Sequence, residues 1–312
     1  MGNDLIMLKN ICVVMSTYNG EKYIKQQIDS ILAQEGVLIN IFIRDDGSTD
    51  KTIDIIKNFH NENITIVKGK NVGAKDSFLF ALENAPEADY YAFSDQDDVW
   101  EKEKLSVAVN ALEKHSSSMP GIYCGAVMPV DSSLNPLAEG DICKKYKPYL
   151  CKYPFLHGAI TISAGCTIVF NRKLKQIISQ YHPKSFIMHD SWIQQVCLAI
   201  GGFVIKDSSP YIKYRQHENN VVGGKRGFLK SVLRRIKFNL NVKKNCRSRM
   251  YAEILSEFGK IMSDVNKSRC QIVCDYKKSL KTRLCLLKFK DFWKGKKIKI
   301  IEKFFLFLFG LY

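Results

Sequence analysis

Short apolar runs alternate with helix-like segments through the first hundred residues, and this alternation limits the possible fold more than any other feature. Four runs have the length and composition of buried strands, at residues 11–15, 39–43, 64–67 and 90–93. The segments between them repeat apolar side chains at helical spacing. Strands that alternate with helices in this way predict βαβ units, and therefore an α/β fold with a mostly parallel sheet and flanking helices.

A polar cluster follows each predicted strand. The clusters are Ser16-Thr17-Tyr18-Asn19, Asp45-Asp46-Gly47-Ser48, Asn71-x-Gly73 and Ser94-Asp95-Gln96-Asp97-Asp98. In open α/β sheets, ligands bind beyond the carboxyl ends of the strands, near the point where the strand order reverses. We therefore expect the four loops to form one binding site at one edge of the sheet.

The chemistry of these loops is acidic. Neither of the glycine-rich phosphate-binding patterns, G-x-x-x-x-G-K-[ST] and G-x-G-x-x-G, occurs in the sequence. A phosphate ligand at an acidic edge would need a bridging cation. Closely spaced carboxylates favour Mg²⁺ or Mn²⁺, which prefer oxygen ligands and leave room for a substrate phosphate.

In order and spacing, these four clusters resemble the motifs of the family 2 glycosyltransferases with the GT-A fold. The run 95–100, His189-Asp190-x-Trp192 and Tyr214-Arg215-Gln216-His217-x-Asn219-Asn220 are similar to the rhamnosyltransferase-like branch that builds bacterial surface polysaccharides. The resemblance covers roughly residues 9 to 222. It implies a GT-A domain, which is Rossmann-like with a mostly parallel sheet, over residues 1–222.

The resemblance also implies roles for residues that would bind the donor nucleotide. Thr17, Tyr18 and Glu21 would line the nucleotide pocket, and Asp45 and Asp46 would reach the base or the ribose. These five residues come from the loops after the first two predicted strands.

The remaining implied roles concern the chemistry. In the D-x-D motif, Asp95 would sit near the ribose and Asp97 would bind the metal on the diphosphate. Asp190 stands where the family keeps its catalytic base, and His217 where related enzymes place a further metal or diphosphate contact. The Q-x-x-R-W signature of processive members is absent, which favours a non-processive enzyme.

The expected reaction is direct displacement with inversion at the anomeric carbon. A cation on Asp97 would stabilise the leaving diphosphate, and Asp190 would take the proton of the attacking hydroxyl. The first expected donor is dTDP-rhamnose, which would supply L-rhamnose to a growing and lipid-linked saccharide acceptor. A UDP-hexose is the alternative donor. A sugar-nucleotide pyrophosphorylase is a weaker alternative, because its glycine-rich N-terminal loop is missing.

Several of these residues also have structural interpretations. Asp98-x-x-Glu101 has the form of a capping box, and Ser48 and Asp190 stand where they could cap the helices that follow them. The sequence favours the capping role for Asp98. Trp100 and Trp192 are expected to lie in the core.

The excess of positive charge belongs to the C-terminal third. The chain has 47 Lys and Arg against 31 Asp and Glu, but residues 223–312 alone hold 24 against 6. We therefore predict a second, basic and mainly helical region over residues 223–312.

Within this basic region, lysines are interleaved with aromatic side chains, and residues 304–312 are almost wholly apolar. This pattern favours an anionic membrane surface over nucleic acid, which is not expected as a partner. The alternative from another class is a nucleic-acid-binding protein with a vestigial α/β domain. A solvated basic surface also remains open.

The cysteines and the hydropathy predict the compartment. The ten cysteines include no C-x-x-C pair, and several of them lie in apolar runs where a small buried side chain is expected. No run of about 18 apolar residues occurs, and residues 1–10 lack the apolar segment of a secretory signal. We expect a reduced, cytoplasmic protein that lies peripherally on the inner face of the cell membrane.

Overall fold

The computed structural model describes residues 8–116, 118–137, 149–150, 163–216, 246–276, 278–279 and 282, and the structural statements below concern these residues. The strands are β1 Asn10–Thr17, β2 Leu38–Asp45, β3 Ile64–Lys68, β4 Tyr90–Ser94, β5 Val99–Trp100, β6 Gly121–Val130, β7 Tyr149–Leu150, β8 Ile168–Asn171 and β9 Phe203–Arg215. The helices are α1 Ile24–Leu32, α2 Thr52–Lys57, α3 Ala74–Asn84, α4 Lys104–Glu113, α5 Arg172–Ile178, α6 His189–Ala199, α7 Cys246–Phe258 and α8 Asp264–Asp275.

The strands form one sheet in the order β3-β2-β1-β4-β8-β6-β9-β5, with β7 paired to β9. The first four strands pair with one another in parallel, as the βαβ pattern predicts. β1 lies between β2 and β4, so the strand order reverses there. The other half is mixed, because β8 is antiparallel to both β4 and β6, whereas β6 and β9 are parallel. The reversal point places the carboxyl ends of β1 and β4 at the expected ligand position.

The central strands are buried on both faces, which explains their continuous apolar sequence. All five residues from Ile11 to Met15 have no exposed surface, and Tyr91, Ala92 and Phe93 in β4 are equally buried. Helix α1 places Ile24, Ile28 and Ile31 against this sheet. Burying each such side chain contributes roughly 1.5–3 kcal/mol. The packing of α1 on the sheet therefore fixes both ends of the loop that joins β1 to α1.

The described residues divide into two compact units. The first contains the sheet, helices α1–α5 and their loops. The second contains residues 181–202, which include α6, together with α7 and α8. Helix α6 thus groups with C-terminal helices, although the sequence assigns it to the 1–222 domain. The predicted boundary at 222/223 lies outside the described residues, as do the basic segment 225–244 and the apolar end 304–312, so these stay predictions.

Helices α7 and α8 lie within the region that the sequence predicts to be mainly helical. Ser263 caps α8 by accepting a hydrogen bond from the Asn266 N–H at 3.3 Å. Among the described residues, no helix combines the length and the apolar character that a bilayer crossing requires.

Lys104, the first residue of α4, is a buried cation in the sheet unit. Its Nζ lies 3.5 Å from the centroid of the Trp100 ring and has no hydrogen-bond partner among the described residues. Burial lowers the pKa of Lys104 to about 7, although Cys166 and Asp98 act in the opposite direction. Trp100 is 3% exposed, which agrees with its expected place in the core.

Lys104→Met is expected to stabilise the protein at neutral pH, and the advantage should shrink as the pH rises. Lys104 has a pKa of about 7 when folded and 10.5 when unfolded, so between these values the unfolded chain binds more protons and the wild type gains stability with pH. From about pH 7 to pH 9 the stability difference between variant and wild type should fall by on the order of 2 kcal/mol. Urea unfolding at several pH values measures this difference.

The exposed Lys102, two residues away, provides the matched control. Lys102→Met should leave the pH dependence of unfolding as in the wild type. A Lys104→Met advantage that stays constant across this range would show that Lys104 keeps an ordinary pKa.

Candidate active site

Loops after β1 and β2 are joined by hydrogen bonds through Asn19. This residue has a left-handed backbone with φ of 48°, which asparagine tolerates better than most residues. The Asn19 N–H donates to Ser48 Oγ at 2.9 Å, and its Oδ1 accepts from the Thr49 N–H at 2.9 Å. Ser48 is therefore part of the loop contact. Its predicted role as a helix cap is wrong, because α2 begins after Lys51 without a side-chain cap.

Asp45 organises the loop that follows β2. Its Oδ2 accepts hydrogen bonds from the N–H groups of Gly47 at 3.1 Å and Ser48 at 2.9 Å, which is the geometry of an Asx turn. Its Oδ1 accepts from the Ser48 hydroxyl at 2.5 Å and from Thr17 Oγ1 at 3.1 Å. Asp45 is 1% exposed, and both of its carboxylate oxygens accept hydrogen bonds from within the protein.

Asp46 is similarly engaged with the loop after β3. Its Oδ1 forms an ion pair with Arg44 Nη1 at 2.5 Å and accepts from the Val72 N–H, while Oδ2 accepts from the Gly73 N–H at 2.9 Å. Gly73 has a φ of 84°, which a side chain would strain. The predicted contacts of Asp45 and Asp46 with a nucleotide stay predictions.

Gln96 joins the loop after β4 to the loop after β1. Its Oε1 accepts from the Tyr18 N–H at 2.9 Å, and its Nε2 donates to the Tyr18 carbonyl at 3.1 Å. A Cβ atom at Gly20 would lie 2.4 Å from Gln96 Oε1, so a larger residue there would displace the Gln96 side chain from Tyr18. The Tyr18 side chain is 47% exposed, and Glu21 is also exposed, with Oε2 accepting from the Lys51 N–H. Both are free to contact a ligand from solvent.

Three carboxyl groups follow β4. Asp95 and Asp97 are half-buried, whereas Asp98 has no exposed surface. Asp98 does not cap a helix, as the sequence favours, because β5 begins at the next residue and α4 begins only at Lys104. Instead its Oδ1 accepts from the Arg215 N–H at 3.1 Å, at the end of β9. The capping-box pattern describes only local sequence and carries no information about the pairing of β5 with β9, so the capping interpretation fails.

The pKa of Asp98 lies well above its ordinary value. Burial is the largest cause, and the neighbouring carboxylates of Asp95 and Asp97 act in the same direction. The Arg215 N–H and the Cys166 thiol oppose this rise. Oδ2 of Asp98 is buried without a hydrogen-bond partner in the described part of the chain.

The acidic group contains a candidate cation site. Asp95, Asp98 and Cys166 each offer a ligand atom, and these atoms lie within 4.8 Å of one another. Two carboxylates suit Mg²⁺ or Mn²⁺, while the thiol is a softer ligand. Asp97, which the resemblance assigns to the metal, is not a member of this group but adjoins it in the same loop.

Two residues of this site were missed from the sequence. Cys166 lies in an apolar run and is buried as expected, but no local pattern indicates that its thiol faces carboxyl groups from β4. Arg215 is part of the family motif Tyr214-Arg215-Gln216-His217. Membership of that motif was the only indication in the sequence that Arg215 lies near the site. His217 itself lies outside the described residues.

Asp190 lies in the first turn of α6, in the second unit. Helix α6 follows Met188, which makes no side-chain cap bond, so the capping interpretation of Asp190 is wrong. Its Oδ1 accepts from the Ser191 N–H at 2.6 Å, and the residue is 9% exposed. A carboxylate in this turn also interacts favourably with the positive end of the helix dipole.

The neighbours of Asp190 in α6 are also buried. Burial lowers the pKa of His189 to about 3, so this imidazole is neutral near pH 7. Trp192 packs in the core as expected, with ring centroids 6.2 Å from Tyr181 and 6.1 Å from Phe258.

The sequence is similar to that of known glycosyltransferases. Residues 12–189 match the family described as Glycosyl transferase family 2. The dTDP-rhamnosyl transferase RfbG of Shigella flexneri is 31% identical over 227 residues, which cover 69% of this chain and 75% of that protein.

Solved structures show the same fold. TarS residues 1–349 from S. aureus in complex with UDP-GlcNAc has a TM-score of 0.60 and 17% identity, and the match covers 98% of this chain and 82% of that one. The complex of the same protein with UDP has a TM-score of 0.56 over 90% of this chain and 75% of that one, also at 17% identity. At this identity the likeness establishes the GT-A fold alone.

The family match and the similarity to RfbG each extend over more than half of the chain, and the sheet carries the polar loops at the carboxyl ends of its strands. The chain therefore belongs to glycosyltransferase family 2.

Proposed function

We propose that this glycosyltransferase moves a sugar from a nucleoside-diphosphate donor to an acceptor hydroxyl with inversion and without processive extension. The observation that carries the proposal is the group of three carboxyl residues after β4, at the point where the strand order reverses. The loops after β1 and β2 are hydrogen-bonded to each other, and Gln96 links them to this group.

The donor nucleotide would bind beside Thr17, Tyr18 and Glu21. The exposed Tyr18 ring offers a surface on which a base can stack. A carboxylate nearby can accept hydrogen bonds from the ribose hydroxyls. RfbG is a dTDP-rhamnosyl transferase, which supports dTDP-rhamnose as the first candidate donor. TarS was solved with UDP-GlcNAc, which supports a UDP-sugar as the alternative.

The acidic group would hold Mg²⁺ or Mn²⁺. In the proposed arrangement Asp97 binds the cation and Asp95 lies toward the ribose, with the unpartnered oxygen of Asp98 close behind. When bound, a divalent cation supplies Lewis-acid stabilisation of the charge that develops on the leaving diphosphate. The protein's own contribution is to keep three carboxyl groups close together on one short loop.

Asp190 would act as the general base. A carboxylate that accepts the proton of the attacking hydroxyl accelerates transfer by typically 10²–10⁴-fold. Since one base suffices and no covalent intermediate is needed, the sugar would be inverted. His217, which the family motif places near the metal or the diphosphate, completes the proposed set.

The acceptor would be a growing surface saccharide on a lipid carrier, reached from the cytoplasmic side of the membrane. The support is the charge of residues 223–312, with 24 Lys and Arg against 6 Asp and Glu. Basic residues next to apolar aromatic ones bind anionic bilayers without crossing them.

Donor turnover should require a divalent cation and Asp97. With Mn²⁺ or Mg²⁺, the protein should hydrolyse or transfer from dTDP-rhamnose or a UDP-hexose in a panel of nucleotide sugars. Asp97→Asn should reduce this rate by at least about 10²-fold, because a neutral amide binds the cation weakly. Release of dTDP or UDP measures the rate.

Asp29→Asn is the matched control, since Asp29 is an exposed carboxylate on α1. It should retain wild-type activity. Activity that survives complete chelation by EDTA would overturn the metal role of Asp97.

Asp190→Asn should lower the turnover number by at least about 10²-fold while the affinity for the donor changes little. The amide retains an oxygen for the Ser191 N–H, so the fold should be kept. Single-turnover transfer and nucleotide titration separate the two effects. Asp264→Asn, in the first turn of α8, should change neither of them.

The C-terminal region should bring the full-length protein to anionic vesicles. Sedimentation with phosphatidylglycerol vesicles should be strong at low salt and weak at high salt. Replacing Lys296, Lys297 and Lys299 with Gln should weaken it by roughly 100-fold, at about 1 kcal/mol for each cation. Binding to duplex DNA at physiological salt without binding to vesicles would favour the nucleic-acid alternative.

A further inference from the structure

Arg215, the last residue of β9, is a buried cation beside the acidic loop. It is 1% exposed, although it carries a permanent positive charge. Its side-chain Nε donates to the carbonyl of Asp97 at 2.8 Å, and its backbone N–H donates to Asp98 Oδ1 at 3.1 Å. Both contacts fall on the loop between β4 and β5.

The other end of the guanidinium is held by two different elements. Its Nη2 donates to Oε1 of Gln26 in α1 at 2.7 Å, and its Nη1 donates to the carbonyl of Ser132 after β6. The guanidinium carbon lies 4.3 Å from the centroid of the Tyr23 ring, which is a cation–π contact. The planar fork of arginine therefore joins α1 and the turn after β6 to the acidic loop.

The acidic loop needs such support for two reasons. Three carboxyl groups within four residues repel one another, and burial increases that cost. Beyond the loop, β5 is only two residues long and pairs with β9 at Lys213 and Ile212. The segment between β4 and β5 is thus fixed at its ends by the sheet, and at Asp97 and Asp98 by Arg215.

We propose that Arg215 is the positioning residue that sets the orientation of Asp97 for the cation and the donor diphosphate. The proposal rests on the function proposed above, in which Asp97 binds the cation. Arg215 acts through the backbone of Asp97, since Nε and both Nη atoms donate to protein groups. Its effect should therefore appear in metal binding, not only in stability.

Arg215→Lys in the full-length protein is the direct test. Lysine keeps the charge but cannot donate to Asp97, Ser132 and Gln26 in one plane. With UDP and dTDP as probes, the Mn²⁺ concentration that half-saturates the protein should rise at least about 10-fold. Nucleotide affinity without metal should change by less than about twofold. Electron paramagnetic resonance of bound Mn²⁺ and calorimetry measure the two quantities.

Two further variants separate positioning from stability. Gln26 is exposed, so Gln26→Ala should leave the melting temperature nearly unchanged. It should nevertheless raise the half-saturating Mn²⁺ concentration by about two- to threefold, because it frees one end of Arg215. Leu112→Ala creates a core cavity in α4 and should lower the melting temperature without changing Mn²⁺ binding.

The possible outcomes have different meanings. If the wild type binds Mn²⁺ with a nucleotide, and Arg215→Lys binds it equally well, the positioning role is overturned and the proposed function stands. If Leu112→Ala weakens Mn²⁺ binding as much as Arg215→Lys does, loss of stability explains the effect and the role is again overturned. If the wild type binds no Mn²⁺ with either nucleotide, the proposed metal site fails, and the role of Arg215 fails with it.

Discussion

Repulsion among the three carboxyl groups after β4 is the constraint on which the rest of the site depends. Asp98 is fully buried, and its pKa rises because of that burial and because Asp95 and Asp97 are near. The protein offsets part of this cost with the hydrogen bond from the Arg215 backbone. It does not offset all of it, since Asp98 Oδ2 has no hydrogen-bond partner among the described residues. A site that binds a cation tolerates this imbalance, because the cation supplies the missing charge.

The acidic pair at the end of β2 shows the opposite arrangement. Asp45 and Asp46 are as buried as Asp98, but backbone N–H groups, hydroxyls or Arg44 occupy each of their oxygens. Such carboxylates hold loops in place. Two acidic clusters that look alike in the sequence therefore differ in charge compensation, and this difference favours the loop after β4 as the one that receives a cation.

The sequence predicts those parts of the fold in which the secondary structure of each segment follows from that segment's own residues. The parallel strands β1 to β4 and the position of their loops follow from apolar runs and polar ends. Local patterns failed where distant pairing decides the structure. Asp98 looks like a helix cap, but the pairing of β5 with β9 places a strand after it. Cys166 joins the acidic group from 68 residues further along the chain, which no spacing rule registers.

Helix α6 shows how the second unit supports a carboxylate by other means. All eleven of its residues are buried, yet several of them are polar, so their hydrogen-bonding groups need partners inside the protein. Gln195 accepts from the Tyr251 hydroxyl at 2.9 Å, and Gln194 donates to the Asp190 carbonyl at 2.9 Å. The Gln194 bond contacts the backbone of Asp190, which lies in the first helical turn, where the helix dipole favours a negative charge. A base must be ionised before it can accept a proton, so a carboxylate near a helix N-terminus suits that role better than Asp98, whose surroundings favour the neutral acid.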